Sequence, residues 1–259
     1  MKIAMIGAGR LATQLGRALR AAGHDITVVY SRTERSAATL AAQLACASTT
    51  CLDDVPAGAD VYILSVTDNA LPHVARRICR VDPAAVYVHT AGSMPLSVLD
   101  GAPHHAVGYP LQTFSKERDV DFRSIPCFVE ASDDVALATV ESLFASIADR
   151  VVRMTTADRR RLHIAAVFAC NFVNHCYDLA ATLLQQRGIA FDVLLPLVDE
   201  TARKVHTMAP RKAQTGPAVR YDTDVLDSHL RMLADDALRR DIYALLSRSI
   251  HEYSTHDKL

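Results

Sequence analysis

The sequence predicts an α/β fold, a doubly wound sheet followed by an all-helical domain, and three observations carry that reading. Short apolar runs alternate with helix-periodic segments as far as residue 154. Two of those runs, 61–66 and 85–89, are almost continuously apolar, as strands covered on both faces of a parallel sheet must be. Beyond Met154 no strand-like run recurs, and helical spacing takes over. The expected domains are therefore residues 1–154 and residues 155–259.

Each element has its own signal. Lys2–Ile6 is an apolar run that ends in glycine, and Leu11, Leu15, Ala18, Leu19 and Ala22 follow at helical spacing up to a stop at Gly23. Asp25–Tyr30 reads as the second strand. Ser31-Arg32-Thr33-Glu34 has the form of a capping box, which predicts a helix through Ala45 with Ser31 as its cap. After the strands at 61–66 and 85–89 come weaker ones at 106–108 and Cys127–Ala131; Ser132 is expected to cap the next helix, and 150–154 closes the sheet. Thr155-Thr156-Ala157-Asp158 opens a long helix predicted to reach Arg187, with Gly188 as its end. Another helix follows Asp192, is broken by Pro210, Gly216 and Pro217, and gives way to helix from Asp224 nearly to the C-terminus.

Composition narrows the function. The chain has 259 residues, half of them hydrophobic, and a formal net charge of −1. That balance supports a globular protein with a real core and argues against nucleic acid as a partner. Apolar stretches such as 164–173 are too short to span a bilayer. The N-terminus runs straight into a strand, so no signal peptide is read and a cytoplasmic location is expected. Six scattered cysteines form no Cys-x-x-Cys pair and read as reduced thiols. Eleven histidines include no His-Glu-x-x-His motif, and His104-His105 are adjacent rather than helix-spaced, so no metal is expected.

Gly7-Ala8-Gly9-Arg10-Leu11-Ala12 lies between the first strand and the first helix and has the Gly-x-Gly-x-x-Ala form of a dinucleotide fingerprint. Gly7 permits the tight turn, Gly9 lets backbone approach a pyrophosphate, and Ala12 keeps helix and strand close. The helix N-terminus supplies amide donors and the positive end of a dipole. The first domain is thus expected to be a Rossmann domain. The end of the second strand selects the cofactor. No Asp or Glu stands there to hold a ribose 2′-hydroxyl; Tyr30 is followed by Ser31, Arg32 and Thr33. A guanidinium with two hydroxyls suits a 2′-phosphate, so NADP(H) is expected over NAD(H).

With those residues in view, the opening Ile-Gly-Ala-Gly-Arg-Leu-Ala and the Ser-Arg-Thr after strand two resemble the superfamily of pyrroline-5-carboxylate reductases, hydroxyacid dehydrogenases and deazaflavin-dependent NADP oxidoreductases. Later motifs narrow the resemblance: Ser65-Val66-Thr67-Asp68, His89-Thr90-Ala91-Gly92-Ser93, Tyr109-Pro110-Leu111-Gln112-Thr113-Phe114, the run from Ala165 to Asn171, and Thr215-Gly216-Pro217. In this order they resemble NADP oxidoreductases that join a Rossmann-like domain to a C-terminal domain of unknown function. The resemblance covers nearly the whole chain. It departs at Tyr109, where relatives often carry histidine before Pro-Leu.

The resemblance implies a nicotinamide over the carboxyl ends of the strands, facing the helical domain. Cofactor contacts are accordingly expected from Gly7, Ala8, Gly9, Arg10, Leu11, Ser31, Arg32, Thr33, Ser65, Val66, Thr67, Thr90, Ala91 and Gly92. His89 ends an apolar strand and reads equally as a buried structural histidine. Reduction of a carbonyl or imine needs a proton donor and a group that orients the substrate. At 100° per residue, His163, Val167, Asn171 and Asn174 share roughly one helix face. His163 is the expected proton donor and Asn171 the expected orienting group, with Ser93, Tyr109, Asn174, Thr215 and Gly216 at the substrate. Val167 stands where hydroxyacid dehydrogenases carry a lysine. Arg159-Arg160-Arg161 reads as a solvated charge run or a lure for a carboxylate. The function implied is NADPH-dependent reduction of a small oxo acid, ketopantoate-like, or of a cyclic imine; a non-catalytic NADP(H)-binding sensor on the same fold is the alternative. Large apolar residues crowd the helical domain, among them Leu183, Leu197, Leu230 and Leu245, and predict a homodimer built there.

Overall fold

The computed structural model describes residues 1–255, and the chain divides into two compact units, Met1–Asn171 and Phe172–Leu259. The first contains one eight-stranded sheet: β1 (Lys2–Ile6), β2 (Asp25–Tyr30), β3 (Ala47–Thr49), β4 (Val61–Leu64), β5 (Val86–His89), β6 (His104–Pro110), β7 (Cys127–Ala131) and β8 (Val151–Arg153), in the spatial order β3-β2-β1-β4-β5-β6-β7-β8. Its helices are α1 (Arg10–Ala21), α2 (Glu34–Leu44), α3 (Leu71–Ile78), α4 (Asp134–Ala145) and α5 (Thr156–Ala166). The sheet is not wholly parallel: β6 and β7 pair antiparallel, with Val107 opposite Glu130. The connection between them has only a short 3-10 turn, Phe122–Ser124, and without a crossover helix the chain returns in the opposite direction.

Strand alternation sends side chains to two separate core faces. Ile3 and Met5 pack on one face with Leu15 and Leu19 of α1, Leu44 of α2 and Phe144 of α4. Ala4 and Ile6 pack on the other with Tyr62, Tyr87 and the α3 residues Leu71, Val74 and Ile78. Each large side chain fully buried in this way contributes roughly 1.5–3 kcal/mol. Gly16 admits α2 closely to α1: a Cβ there would lie 2.9 Å from Leu44 Cδ1.

Several local expectations are corrected. Thr33, not Ser31, is the N-cap residue of α2, and its hydroxyl bonds to Ser36 Oγ (2.9 Å) rather than to the helix backbone. Ser31 is engaged elsewhere: its amide donates to the Thr49 carbonyl of β3, a short edge strand the sequence pattern did not predict. Glu34 is therefore the first helical residue and no capping box forms. Asp133, not Ser132, caps α4; its carboxylate accepts from the Val135 and Ala136 amides, while Ser132 Oγ accepts from the His105 amide. The long helix after Thr155 is interrupted by a π turn, Val167–Phe172, before α6 (Val173–Gln185).

The second unit continues with α7 (Leu195–Thr207), α8 (Pro210–Ala213), α9 (Pro217–Arg220), α10 (Thr223–Met232) and α11 (Ala237–Thr255). The helix expected from Asp224 is thus two helices. They part where Asp236 accepts from the Arg239 amide (2.9 Å) and starts α11 afresh. Among the described residues of this unit only Ala218 is buried, whereas Leu197, Met232 and Leu238 are 63%, 79% and 72% exposed. Among the described residues, no helix is long and apolar enough to cross a membrane.

Candidate functional site

The carboxyl ends of β1, β2 and β4 meet at a cleft, where the connections from β1 and β4 leave in different directions. Gly7 must be glycine. Its φ is +124°, its amide donates to the Tyr30 carbonyl (2.8 Å), and a Cβ would overlap the Ser65 carbonyl. Gly9 is constrained differently. Its φ is an ordinary −76°, and a Cβ there would meet nothing of this chain within 4 Å. It opens α1, with Thr13 folded back so that both its amide and its hydroxyl donate to the Gly9 carbonyl. A turn whose backbone is bare on the open side and leads into a helix N-terminus fits a pyrophosphate.

The cleft has a volume of about 540 Å³ and runs from Gly7-Ala8-Gly9 past Ser65-Val66-Thr67 to Ser31-Arg32-Thr33, Ser36, His73 and Arg77. Among the described residues no carboxylate lines it; Arg32, His73 and Arg77 do. Ser36, His73 and Arg77 are absent from the sequence-based expectation. The signal available was the i, i+4 spacing of His73 and Arg77 on a helix that directly follows a buried strand. Arg10 and Leu11, expected at the cofactor, do not border the cleft. Arg10 is exposed at the first turn of α1, and Leu11 packs against the core.

Thr90, Ala91 and Gly92 do not border it either; they begin the loop after β5, which leads to a second cluster. His89 is fully buried, accepts from the Ala91 amide at Nδ1 (3.2 Å) and shares a hydrogen bond with the Pro95 carbonyl at Nε2 (3.2 Å). Burial above all, and the charge of Arg159, lower its pKa to about 3, so it is a neutral structural residue. Next in the loop, Gly92 lies against two rings. A Cβ there would stand 2.8 Å from both His163 Nδ1 and Tyr109 Cζ. Those two side chains share a hydrogen bond, Tyr109 Oη to His163 Nδ1, of 3.1 Å. Burial raises the Tyr109 pKa, opposed by the charge of Arg159, so the phenol is protonated at neutral pH. Ser93 Oγ donates to Asp68, which ties this loop to the one after β4.

The arginine run is not a uniform solvated face. Arg159 is 1% exposed and pairs with Glu130 of β7; it also donates to the Met94 carbonyl (2.6 Å) and Thr156 Oγ1 (3.2 Å). Burial pushes the Glu130 carboxyl upward, but Arg159 and the Thr156 hydroxyl and amide outweigh it and hold it below the ordinary range. Arg160 donates to the Ser93 carbonyl (2.7 Å), and only Arg161 is left exposed without a role in the loop. α5 therefore holds the carbonyls of two successive loop residues, Ser93 and Met94.

Asn171 is exposed within the π turn. That turn holds one residue more than an α turn, so the 100° step does not carry from His163 to Asn171, and the single face expected for His163, Val167, Asn171 and Asn174 is not kept. Asn174, Thr215 and Gly216 belong to the second unit, where Gly216 has φ +112° at the start of α9. Among the described residues no group of His, Cys, Asp or Glu is placed to hold a metal ion.

Residues 2–91 match a family described as NADP oxidoreductase coenzyme F420-dependent, and residues 125–250 match a domain of unknown function (DUF2520). No curated protein matches the chain. A solved candidate NADP oxidoreductase from Bacteroides fragilis is 50% identical over 97% of this chain and 98% of its own, with a TM-score of 0.94. An imine reductase from Myxococcus stipitatus in complex with NADP+ (15% identity, 97% and 93% coverage, TM-score 0.68) shares the fold. So does a pyrroline-5-carboxylate reductase from Coxiella burnetii (14% identity, 98% and 97% coverage, TM-score 0.58). With a fingerprint turn of the required geometry and a relative half identical along its whole length, the chain belongs to the family of NADP oxidoreductases that join this Rossmann-like domain to DUF2520.

Proposed function

We propose that the protein binds NADP(H) in the cleft at Gly7–Gly9 and Arg32 and reduces a small oxo acid, ketopantoate-like, or a cyclic imine. The observation that carries the reading is the Tyr109–His163 pair, set at the same sheet edge as the fingerprint turn. The cofactor would supply a hydride to the carbonyl or imine carbon. The chain's part is the proton. A half-buried, protonated Tyr109 can donate Oη–H to the developing oxyanion or amine, and a proton on His163 Nδ1 can replace the one lost from Oη. Gly92 leaves the room beside the loop that both rings occupy. Ser93 and Asn171 are proposed to orient the substrate. Asn174, Thr215 and Gly216 enter only through the family resemblance.

The test is NADPH consumption with a panel of 2-oxo acids and cyclic imines, using wild type, Tyr109→Phe and His163→Ala. Turnover with at least one substrate class is expected, reduced on the order of 10²–10⁴-fold by Tyr109→Phe with cofactor affinity unchanged. NADPH binding without turnover of any compound would instead favour a non-catalytic sensor.

The helical unit is proposed to be completed by a second copy of the chain. One buried side chain among its described residues is too little core for six helices, and its exposed leucines and methionines need cover. Light scattering at micromolar concentration is expected to give twice the 28.2 kDa chain mass; a monomer mass contradicts it.

A further inference from the structure

We infer that Arg77 is a platform on which the adenine ring of the dinucleotide stacks, and that it leaves the 2′-phosphate to Arg32. The inference rests on the cofactor reading above and adds a division of labour between two arginines of one cleft. Arg77 lies on α3, one helical turn beyond His73, and lines the same cleft as Ser31-Arg32-Thr33. A guanidinium has two recognition surfaces. Its N–H edge suits carboxylates and phosphates, and its flat face suits aromatic rings.

In Arg77 one corner of that edge is already engaged. Nη2 donates to Asp53 Oδ2, from the short turn Leu52–Asp54 after β3. Asp53 does not line the cleft, so it holds the guanidinium from outside while Arg77 still borders the cavity. That carboxylate also offsets the charge a phosphate would seek. The neighbouring lining residues are apolar: Leu52 and Val74 are each about 5% exposed, and Ala70 is half-buried. A planar cation beside an apolar floor suits a purine better than a phosphate. Arg32 is the opposite case. It is exposed, has no carboxylate partner among the described residues, and lies between the hydroxyls of Ser31 and Thr33.

The test is fluorescence titration of the full chain with NADPH and NADH, for wild type, Arg77→Ala, Arg77→Lys and Arg32→Ala. Arg77→Ala is expected to weaken both dinucleotides equally, roughly tenfold, because both carry the same adenine. Arg77→Lys, which keeps charge and loses the plane, should behave like Arg77→Ala. Arg32→Ala should weaken NADPH on the order of ten- to a hundredfold and NADH little. Selective loss of NADPH in Arg77→Ala would make Arg77 a phosphate ligand and overturn the inference. Wild-type affinity in Arg77→Lys or in Arg77→Ala would overturn it too. Wild-type protein that binds neither dinucleotide overturns the cofactor reading itself, whereas unimpaired binding by Arg77→Ala overturns this inference alone.

Discussion

Arg159 and Glu130 join the first turn of α5 to β7 through an ion pair whose arginine is sealed from water at 1% exposure and whose carboxylate is still 21% exposed. The two partners are therefore unequal. Glu130→Ala strands a buried guanidinium whose Nε already lacks a partner among the described residues, and is expected to cost about 3–5 kcal/mol. Arg159→Met leaves a carboxylate that keeps Thr156 and some water, and should cost less. The double variant should cost less than the sum of the singles. Urea unfolding of all four proteins measures this, and strict additivity would contradict the pairing.

Acid should destabilise the protein through His89. Its folded pKa is lowered to about 3 from the ordinary 6.5 of a histidine, so the unfolded chain binds the extra proton first. The stability from keeping His89 neutral is complete above about pH 6.5 and is lost as pH falls towards 3. Between pH 6.5 and 5 the loss should approach about 2 kcal/mol. His89→Gln should flatten that slope in urea unfolding followed at several pH values; an unchanged slope would assign the acid sensitivity to other groups.

Gly7 and Gly9 should separate folding from binding. Gly7→Ala places a methyl group on the Ser65 carbonyl in a backbone region L-residues rarely enter, so both thermal stability and NADPH binding should fall. Gly9→Ala meets nothing within the chain, and its melting temperature should stay near wild type. Its methyl group would nonetheless occupy the approach to the helix N-terminus and weaken NADPH binding. Full affinity in Gly9→Ala would mean that the pyrophosphate does not approach this turn.

Charge on the exposed leucines should dissolve the proposed dimer. Leu197 and Leu238 are 63% and 72% exposed in the single chain, so glutamate at either position costs little within it. The combined Leu197→Glu, Leu238→Glu variant is expected to shift the mass seen by light scattering towards the monomer. An unchanged mass would place these two side chains outside the interface.

Local signals made much of the first unit legible. β1, the fingerprint and β2 lie within thirty residues, and an apolar run, a glycine turn and a 3.6-residue period follow one another without a gap. β3 escaped because three largely exposed residues at a sheet edge carry no hydrophobic pattern. Missing it also misplaced the cap of α2, since Ser31 is spoken for by Thr49. The π turn is invisible to periodicity because both flanking segments are α-helical. Arg159 looked like its two neighbours. What buries it is Glu130, 29 residues away on another element. Tyr109 and His163 were each expected near substrate, but their contact across 54 residues is a property of the fold alone.

Under the proposed reading, Arg32 is the open cation of a cleft that has no acid on its lining among the described residues. Arg32 is solvent-exposed, so its pull acts through water and fades over a Debye length, about 8 Å at physiological ionic strength. Added salt, sulfate buffers and free nucleotides would all compete there. Under the proposed reading the extra dianion of NADPH feels that competition more than NADH does, so the apparent choice between the two cofactors should narrow as ionic strength rises.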